Sequence, residues 1–201
     1  MSFPSAAGCY DRGMVQWAPI VFVFGILRDI AAFLRGRPKV TLDGVHRSPL
    51  WAAGAPIYDV TQVWFRNRAL RTTAKDVTAM VEFYDRGASA PRLAVHGQWA
   101  TTHAPGHIGF SGFRTATDIA AGHTPVKLLV LLKYPADSSA YAFAAENFFA
   151  HPDGRHPDFA LPAGEYRMRV SLAGPDVAQT FWFDVLNGGA GVHPVVTATD
   201  W

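Results

Sequence analysis

From Pro38 onward apolar side chains recur at every second position, and this period constrains the fold more than any other feature of the chain. Successive side chains of a strand point to opposite faces, so a period of two marks strands with one face on a core. The pattern is cleanest late in the sequence. Tyr166, Met168, Val170 and Leu172 alternate with Glu165, Arg167, Arg169 and Ser171. Ala173-Gly-Pro-Asp176 supplies a turn. Gln179 to Leu186 then returns as the antiparallel partner, with Phe181, Phe183 and Val185 on one face.

Earlier segments follow the same rule. Val40 and Leu42 alternate with Lys39, Thr41 and Asp43 in a short first strand, and Ile57 to Asn67 sets Tyr58, Val60, Gln62 and Trp64 on one face. Val77, Ala79, Val81 and Phe83 alternate with Thr78, Met80, Glu82 and Tyr84 until Asp85-Arg-Gly87, and Leu93 to Trp99 resumes a strand. Val126 to Tyr134 is a nearly unbroken apolar run, as a central strand requires. About seven strands with frequent turns predict a mainly β domain over residues 38–187, an immunoglobulin-like antiparallel β-sandwich. The 18 glycines and 14 prolines suit such a turn-rich fold. Residues 100–125 and 135–163 read as irregular connections, and residues 188–201 as a flexible tail.

Residues 1–13 read as a flexible N-terminus and residues 14–36 as one apolar helix. Met14 to Leu27 holds a single polar side chain, Gln16. Pro19 fits a first helical turn, and Gly36 and Pro38 are stop signals. A helix from Trp17 to Leu34 would be roughly 27 Å long, just short of a ~30 Å hydrocarbon core. Three readings compete: a transmembrane anchor, a helix docked on protein, and a secretory signal peptide. Apolar residues all round positions 20–24 favour the anchor, with Trp17, Ile20, Phe22, Phe24 and Leu27 facing lipid. Positive charges after the run, and no A-x-A site, disfavour the signal peptide. Arg28, Arg35, Arg37 and Lys39 follow the span against Arg12 before it. The positive-inside rule then predicts an inner-membrane protein with a cytoplasmic C-terminal domain. Arg35, Arg37 and Lys39 would lie at the headgroups.

Landmarks along the chain carry a resemblance. The apolar N-terminal helix, Arg37-Pro-Lys39 and a strand ending at Asn67 lead into Thr73-Ala-Lys-Asp-Val77. Gly97-Gln-Trp99, Lys133-Tyr-Pro135, Tyr141-Ala-Phe143, Pro162-Ala-Gly-Glu-Tyr166 and Phe181-Trp-Phe183 follow in order. This resembles a group of uncharacterised bacterial membrane-anchored proteins with an immunoglobulin-like domain. The resemblance implies a fold and a tether, and brings no activity with it.

Charge and composition narrow the chemistry. Hydrophobic residues make up 49% and charged residues 17%, which suits a packed core and not a disordered chain. A net charge of +2 without a long basic run argues against nucleic-acid binding. The single cysteine, Cys9, excludes an intrachain disulfide and a cysteine-based zinc framework. Two histidine pairs, His103 with His107 and His151 with His156, would compose a metal site with Asp153 or Asp158 if their loops met. Pro105-Gly106 argues against the helix that would converge the first pair, so exposed loop histidines are the simpler reading. Gly109-Phe-Ser-Gly112 lacks the strand–turn–helix setting of a serine elbow. The carboxylate pairs Glu82 with Asp85 and Glu146 with Asp153 show no convergence. No catalytic residue, cofactor or phosphate loop is expected. Trp64, Trp99 and Trp182 read as core, and Trp51 and Trp201 as surface contacts. Arg66, Arg68, Arg71 and Lys75 form a basic cluster that would suit anionic headgroups. The functional expectation is a non-enzymatic, membrane-tethered protein-interaction module. The alternatives are a soluble assembly subunit whose helix docks on another chain and, third, a metal-binding sensor or enzyme using the loop histidines.

Overall fold

The period of two is realised as two antiparallel sheets. The computed structural model describes residues 36–199, apart from 53–54, 70, 101–112, 123 and 152. The chain divides after Arg37. Beyond it lie thirteen strands among the described residues: β1 (Val40–Ala52), β2 (Ala55–Asn67), β3 (Ala74–Asp85), β4 (Leu93–His96), β5 (Gln98–Ala100), β6 (Phe113–Arg114), β7 (Ala116–Ile119), β8 (Val126–Lys133), β9 (Ala140–Ala142), β10 (Ala160–Leu161), β11 (Gly164–Gly174), β12 (Val177–Asn187) and β13 (Val195–Thr199). Helix α1 (Ala145–Ala150) and a 3-10 turn (Pro157–Phe159) separate β9 from β10. The first sheet runs β1-β2-β8-β5-β6, with β9 on β8 and β10 on β9. The second runs β13-β12-β11-β3-β4, with β7 also on β3. Neither sheet closes.

The two sheets share one core, the layering of a β-sandwich. Val63 and Phe65 of β2, Leu128 and Val130 of β8, and Trp99 of β5 meet Val81 and Phe83 of β3, Met168 and Val170 of β11, and Phe183 of β12. Val126–Lys133 is central, as its apolar run predicts, because both of its edges are paired. The 134–161 segment covers part of the outer face of the first sheet. Phe143 and Phe148 close a second apolar cluster there, over Tyr58, Val60, Leu129 and Leu132.

The chain changes sheet five times, and two of these crossings take a single residue. Gly97 joins β4 of the second sheet to β5 of the first, and Thr115 joins β6 of the first to β7 of the second. At Gly97 the backbone N–H donates to the Ala79 carbonyl at 2.8 Å.

Three buried asparagines fasten the connections. Asn67 accepts from the Lys39 and Ala69 N–H groups, both at 3.0 Å, and donates to the carbonyls of Thr72 at 2.7 Å and Ile119 at 3.0 Å. Asn147 of α1 donates to Ala142 and Gly154 and accepts from the His156 N–H. Asn187 donates to Ser138 and Leu161 and accepts from Lys133 Nζ at 3.1 Å and from the Gly189 N–H. Lys133 Nζ has two further acceptors, the Ser138 and Ser139 carbonyls. A buried backbone polar group without a partner is costly, and each amide here satisfies several at once.

Four sequence expectations change. The first strand is 13 residues long, not short. Among the described residues its outer edge pairs with no strand, which accommodates Pro49 without a lost ladder bond. The connections 100–125 and 135–163 contain β6, β7, β9, α1 and β10, pieces too short to show a period. In the tail that reads as flexible, Val195–Thr199 pairs with Trp182–Leu186. Glycines at 188, 189 and 191 mask it, while Val196 packs on the core. Of the three strand tryptophans only Trp99 is core. Trp64 and Trp182 are half-buried on outward faces, because Phe65 and Phe183 beside them take the inward positions. Residues 1–35, with the expected helix and its lipid-facing residues, lie outside the described part.

Burial raises the pKa of Tyr58 and Tyr166, and does so most strongly for Tyr134. A raised folded-state pKa gives stability that is whole below the unfolded value near 10 and is lost as pH climbs towards the folded value. Lys133 runs the other way, since desolvation lowers its pKa. Its contribution grows with pH only up to about 10.4 and then stops. We therefore expect cooperative unfolding above pH 10, with tyrosinate absorbance and loss of circular dichroism rising together. Tyrosines titrating near pH 10 in a chain that keeps its fold would contradict this.

Candidate functional site

The outward face of the second sheet concentrates the polar and aromatic side chains that the alternation displaces from the core. Arg169 stands directly opposite Glu82 across β11 and β3. Its Nε and Nη2 donate to the two carboxylate oxygens at 2.5 and 2.7 Å. The hydrogen bond from Arg169 and its charge hold Glu82 in that pair, and the same contact raises the arginine pKa. Tyr84 O–H donates to Glu82 at 3.3 Å, and burial followed by the Glu82 charge raises the phenol pKa. Trp182 of β12 lies 5.6 Å from the Tyr84 ring. The guanidinium groups of Arg167 and Arg169 sit 4.7 and 5.6 Å from the Trp182 ring. A planar cation over indole is attracted to its face, so tryptophan and arginines fix one another.

Towards the other end of β12 this face turns apolar. Leu186 is 48% exposed, Val195 of β13 is 55% exposed, and Val192 before it is 49% exposed. Large exposed apolar side chains are informative when they cluster. Leu186 and Val195 are cross-strand partners. They line an open groove of ≈ 490 Å³ with Arg86, Glu165, Arg167, Asp184 and Thr197. Arg86 and Glu165 form an ion pair on its rim. The groove thus pairs an apolar floor with charges of both signs.

Those predicted site residues that are described lie elsewhere and do not assemble. His103 and His107 lie outside the described residues. His151 ends α1, where its Nδ1 accepts the Asp153 N–H at 3.4 Å. His156 caps the 3-10 turn, its Nδ1 accepting the Asp158 N–H at 3.3 Å. Each histidine thus satisfies its own turn. Among the described residues no group of three or more His, Cys, Asp or Glu could hold a metal. Asp85 pairs with Arg92 at 3.3 Å, Asp153 with Arg155 at 3.1 Å, and Glu146 is exposed on α1. The basic cluster is partly neutralised, Arg66 by Asp43 at 2.9 Å and Lys75 by Asp118 at 2.6 Å. Arg37 and Lys39 are exposed, and the Lys39 backbone is held by Asn67 and Arg68. Trp17, Ile20, Phe22, Phe24, Leu27, Arg35, Cys9, Ser111 and Trp201 are outside the described residues, and of Trp51 only the backbone is described. No helix among the described residues is long and apolar enough to cross a membrane.

One arrangement has no trace in sequence spacing. Asp59, 3% exposed, contacts Arg47 Nε at 2.9 Å and His193 Nδ1 at 2.6 Å. A carboxylate behind an imidazole is half of a general-base pair. No serine, threonine or cysteine side chain bonds to His193 among the described residues. The contact places the connection before β13 against β2, 134 residues earlier in the chain, without forming a hydrogen bond at His193 Nδ1. Comparison with protein-family models, curated proteins and solved structures finds no match.

Proposed function

We propose that the chain is a non-enzymatic protein-interaction module, an immunoglobulin-like sandwich that presents the outward face of its second sheet and is tethered to a membrane by residues 14–36. The observation that carries this is the clustering of Leu186 and Val195 beside the Trp182–arginine stack, at the mouth of a ≈ 490 Å³ groove. Arginine and tryptophan are the residues most often found at the energetic centre of protein interfaces. The apolar run of residues 14–27 and the cations after it support the tether, with the sandwich on the cytoplasmic side of a bacterial inner membrane.

The test is a photo-crosslinking amino acid placed at Leu186 of the full chain in cells, with Ala120, exposed just after β7, as control. We expect one discrete adduct to a different protein from position 186, recovered with membranes, and none from position 120. Equal labelling from both positions, or none from Leu186, counts against the face. A soluble adduct counts against the tether alone.

A further inference from the structure

We propose that the side chains of Lys133 and Asn187 join in an isopeptide bond, made by the chain on itself with release of ammonia, and that this bond ties the first sheet to the second. Lys133 ends β8 and Asn187 ends β12, so the two belong to different sheets. They meet inside the sandwich, 2% and 1% exposed. Lys133 Nζ lies 3.1 Å from Asn187 Oδ1, so the amine already rests on the carboxamide whose carbon it attacks. A nucleophile held against its electrophile by the fold gains greatly over one that must find it. The three hydrogen-bond acceptors of Nζ are the Asn187 Oδ1 and the carbonyls of Ser138 and Ser139, all of them neutral. A buried cation without a carboxylate is costly, and acylation replaces it with a neutral amide.

The step balances within the pair. Nζ attacks Cγ, and the electron pair of the C=O bond moves onto Oδ1. It returns as the Cγ–Nδ2 bond breaks. One proton passes from Nζ to Nδ2, which leaves as ammonia. Each atom has a partner suited to this course. Oδ1, where negative charge develops, also accepts the Gly189 N–H at 3.3 Å, a backbone donor of the kind that stabilises an oxyanion. Nδ2 donates to the Ser138 carbonyl at 3.0 Å and to the Leu161 carbonyl at 2.8 Å, which fix the amide with its oxygen towards the lysine. Nζ shares the Ser138 carbonyl at 3.1 Å, so both nitrogens gather on one acceptor and the proton has a short path between them. Burial lowers the Lys133 pKa, partly opposed by the Asp137 charge, and so favours the unprotonated amine that attacks. Once joined, Lys133 no longer titrates.

The full chain, purified in its folded state, is weighed and digested with trypsin. The parent should be lighter than its sequence requires by one ammonia. Its digest should contain Leu128–Arg155 joined to Val170–Trp201. Lys133→Met should have its full mass, release the same two peptides separately and melt at a lower temperature than the parent. A parent of full mass without the joined peptide overturns the inference. Ammonia loss that persists in Lys133→Met overturns it too, because Asn187 has then closed on the Gly188 nitrogen. If Lys133→Met fails to fold, the joined peptide of the parent decides alone, by its presence or absence.

Discussion

Replacing Asn67 with alanine is expected to cost the fold about 4 kcal/mol, the sum of several buried backbone groups left without partners at ~1–3 kcal/mol each. The Asn67 side chain is fully buried and engages four of them, two N–H groups and two carbonyls. They come from the start of β1, the turn after β2 and the end of β7, so one truncation loosens three connections. Asn67→Asp separates the donors from the acceptors. It keeps the shape and can still accept from Lys39 and Ala69, but it aims a carboxylate at the Thr72 and Ile119 carbonyls. Its folded-state pKa must then be raised. The aspartate variant should approach the parent near pH 4 and fall away from it as pH rises. Urea unfolding at a series of pH values checks both variants. A loss under 1 kcal/mol for Asn67→Ala, or an aspartate variant insensitive to pH, would show that the amide is not the fastener.

The long strands were legible because burial on one face writes itself into alternate residues. Tyr166, Met168, Val170 and Leu172 are buried where the alternation places them, and the β11–β12 hairpin turns at Gly174 to Val177, one residue beyond the expected Ala173-Gly-Pro-Asp176. The short strands were not legible. A two-residue strand such as Phe113–Arg114 has no period, and β4 and β5 read as one strand because only Gly97 separates them. Which sheet a segment joins depends on partners distant in the chain, and alternation carries no such information. The bulge opposite Thr61 and Gln62 shows the limit within a strand. It turns both Val130 and Leu131 inward, so the apolar run hides a break in parity.

Site residues were legible only where they were strand residues. Arg167 and Arg169 stand on the outward face that the late hairpin predicts and Glu82 on that of its own strand, whereas Trp182 reads as core, and the convergence of all four across three strands needs the register. The loop histidines drew attention as pairs in sequence, whereas the described ones each serve a local turn. Asp59 and His193 went unread for the opposite reason. Nothing in a strand aspartate and a histidine 134 positions later signals a 2.6 Å contact.

Gly97→Ala is expected to destabilise the chain by about 2–3 kcal/mol, the range for forcing added volume into a close-packed core. A Cβ at this position would lie 2.8 Å from Leu128 Cδ1, 2.9 Å from Ala79 Cβ and 3.3 Å from the Ala79 carbonyl oxygen. Leu128 belongs to the first sheet and Ala79 to the second, so the glycine sits in the seam where the chain passes between them. Backbone strain is not the cause, since Gly97 is not among the positive-φ glycines. The cost is steric, and Leu128 is fully buried with little room to swing away. Retreat of the backbone would also stretch the 2.8 Å bond from Gly97 N–H to the Ala79 carbonyl. For a chain of this size the loss corresponds to roughly 4–12 °C in Tm, at ~2–4 °C per kcal/mol. A double-mutant cycle identifies the mechanism. Leu128→Ala removes the nearest obstructing atom, so Gly97→Ala should cost markedly less in that background than alone. Strict additivity, or a tolerated Gly97→Val, would mean that the seam opens freely and that the two sheets are not locked at this crossing.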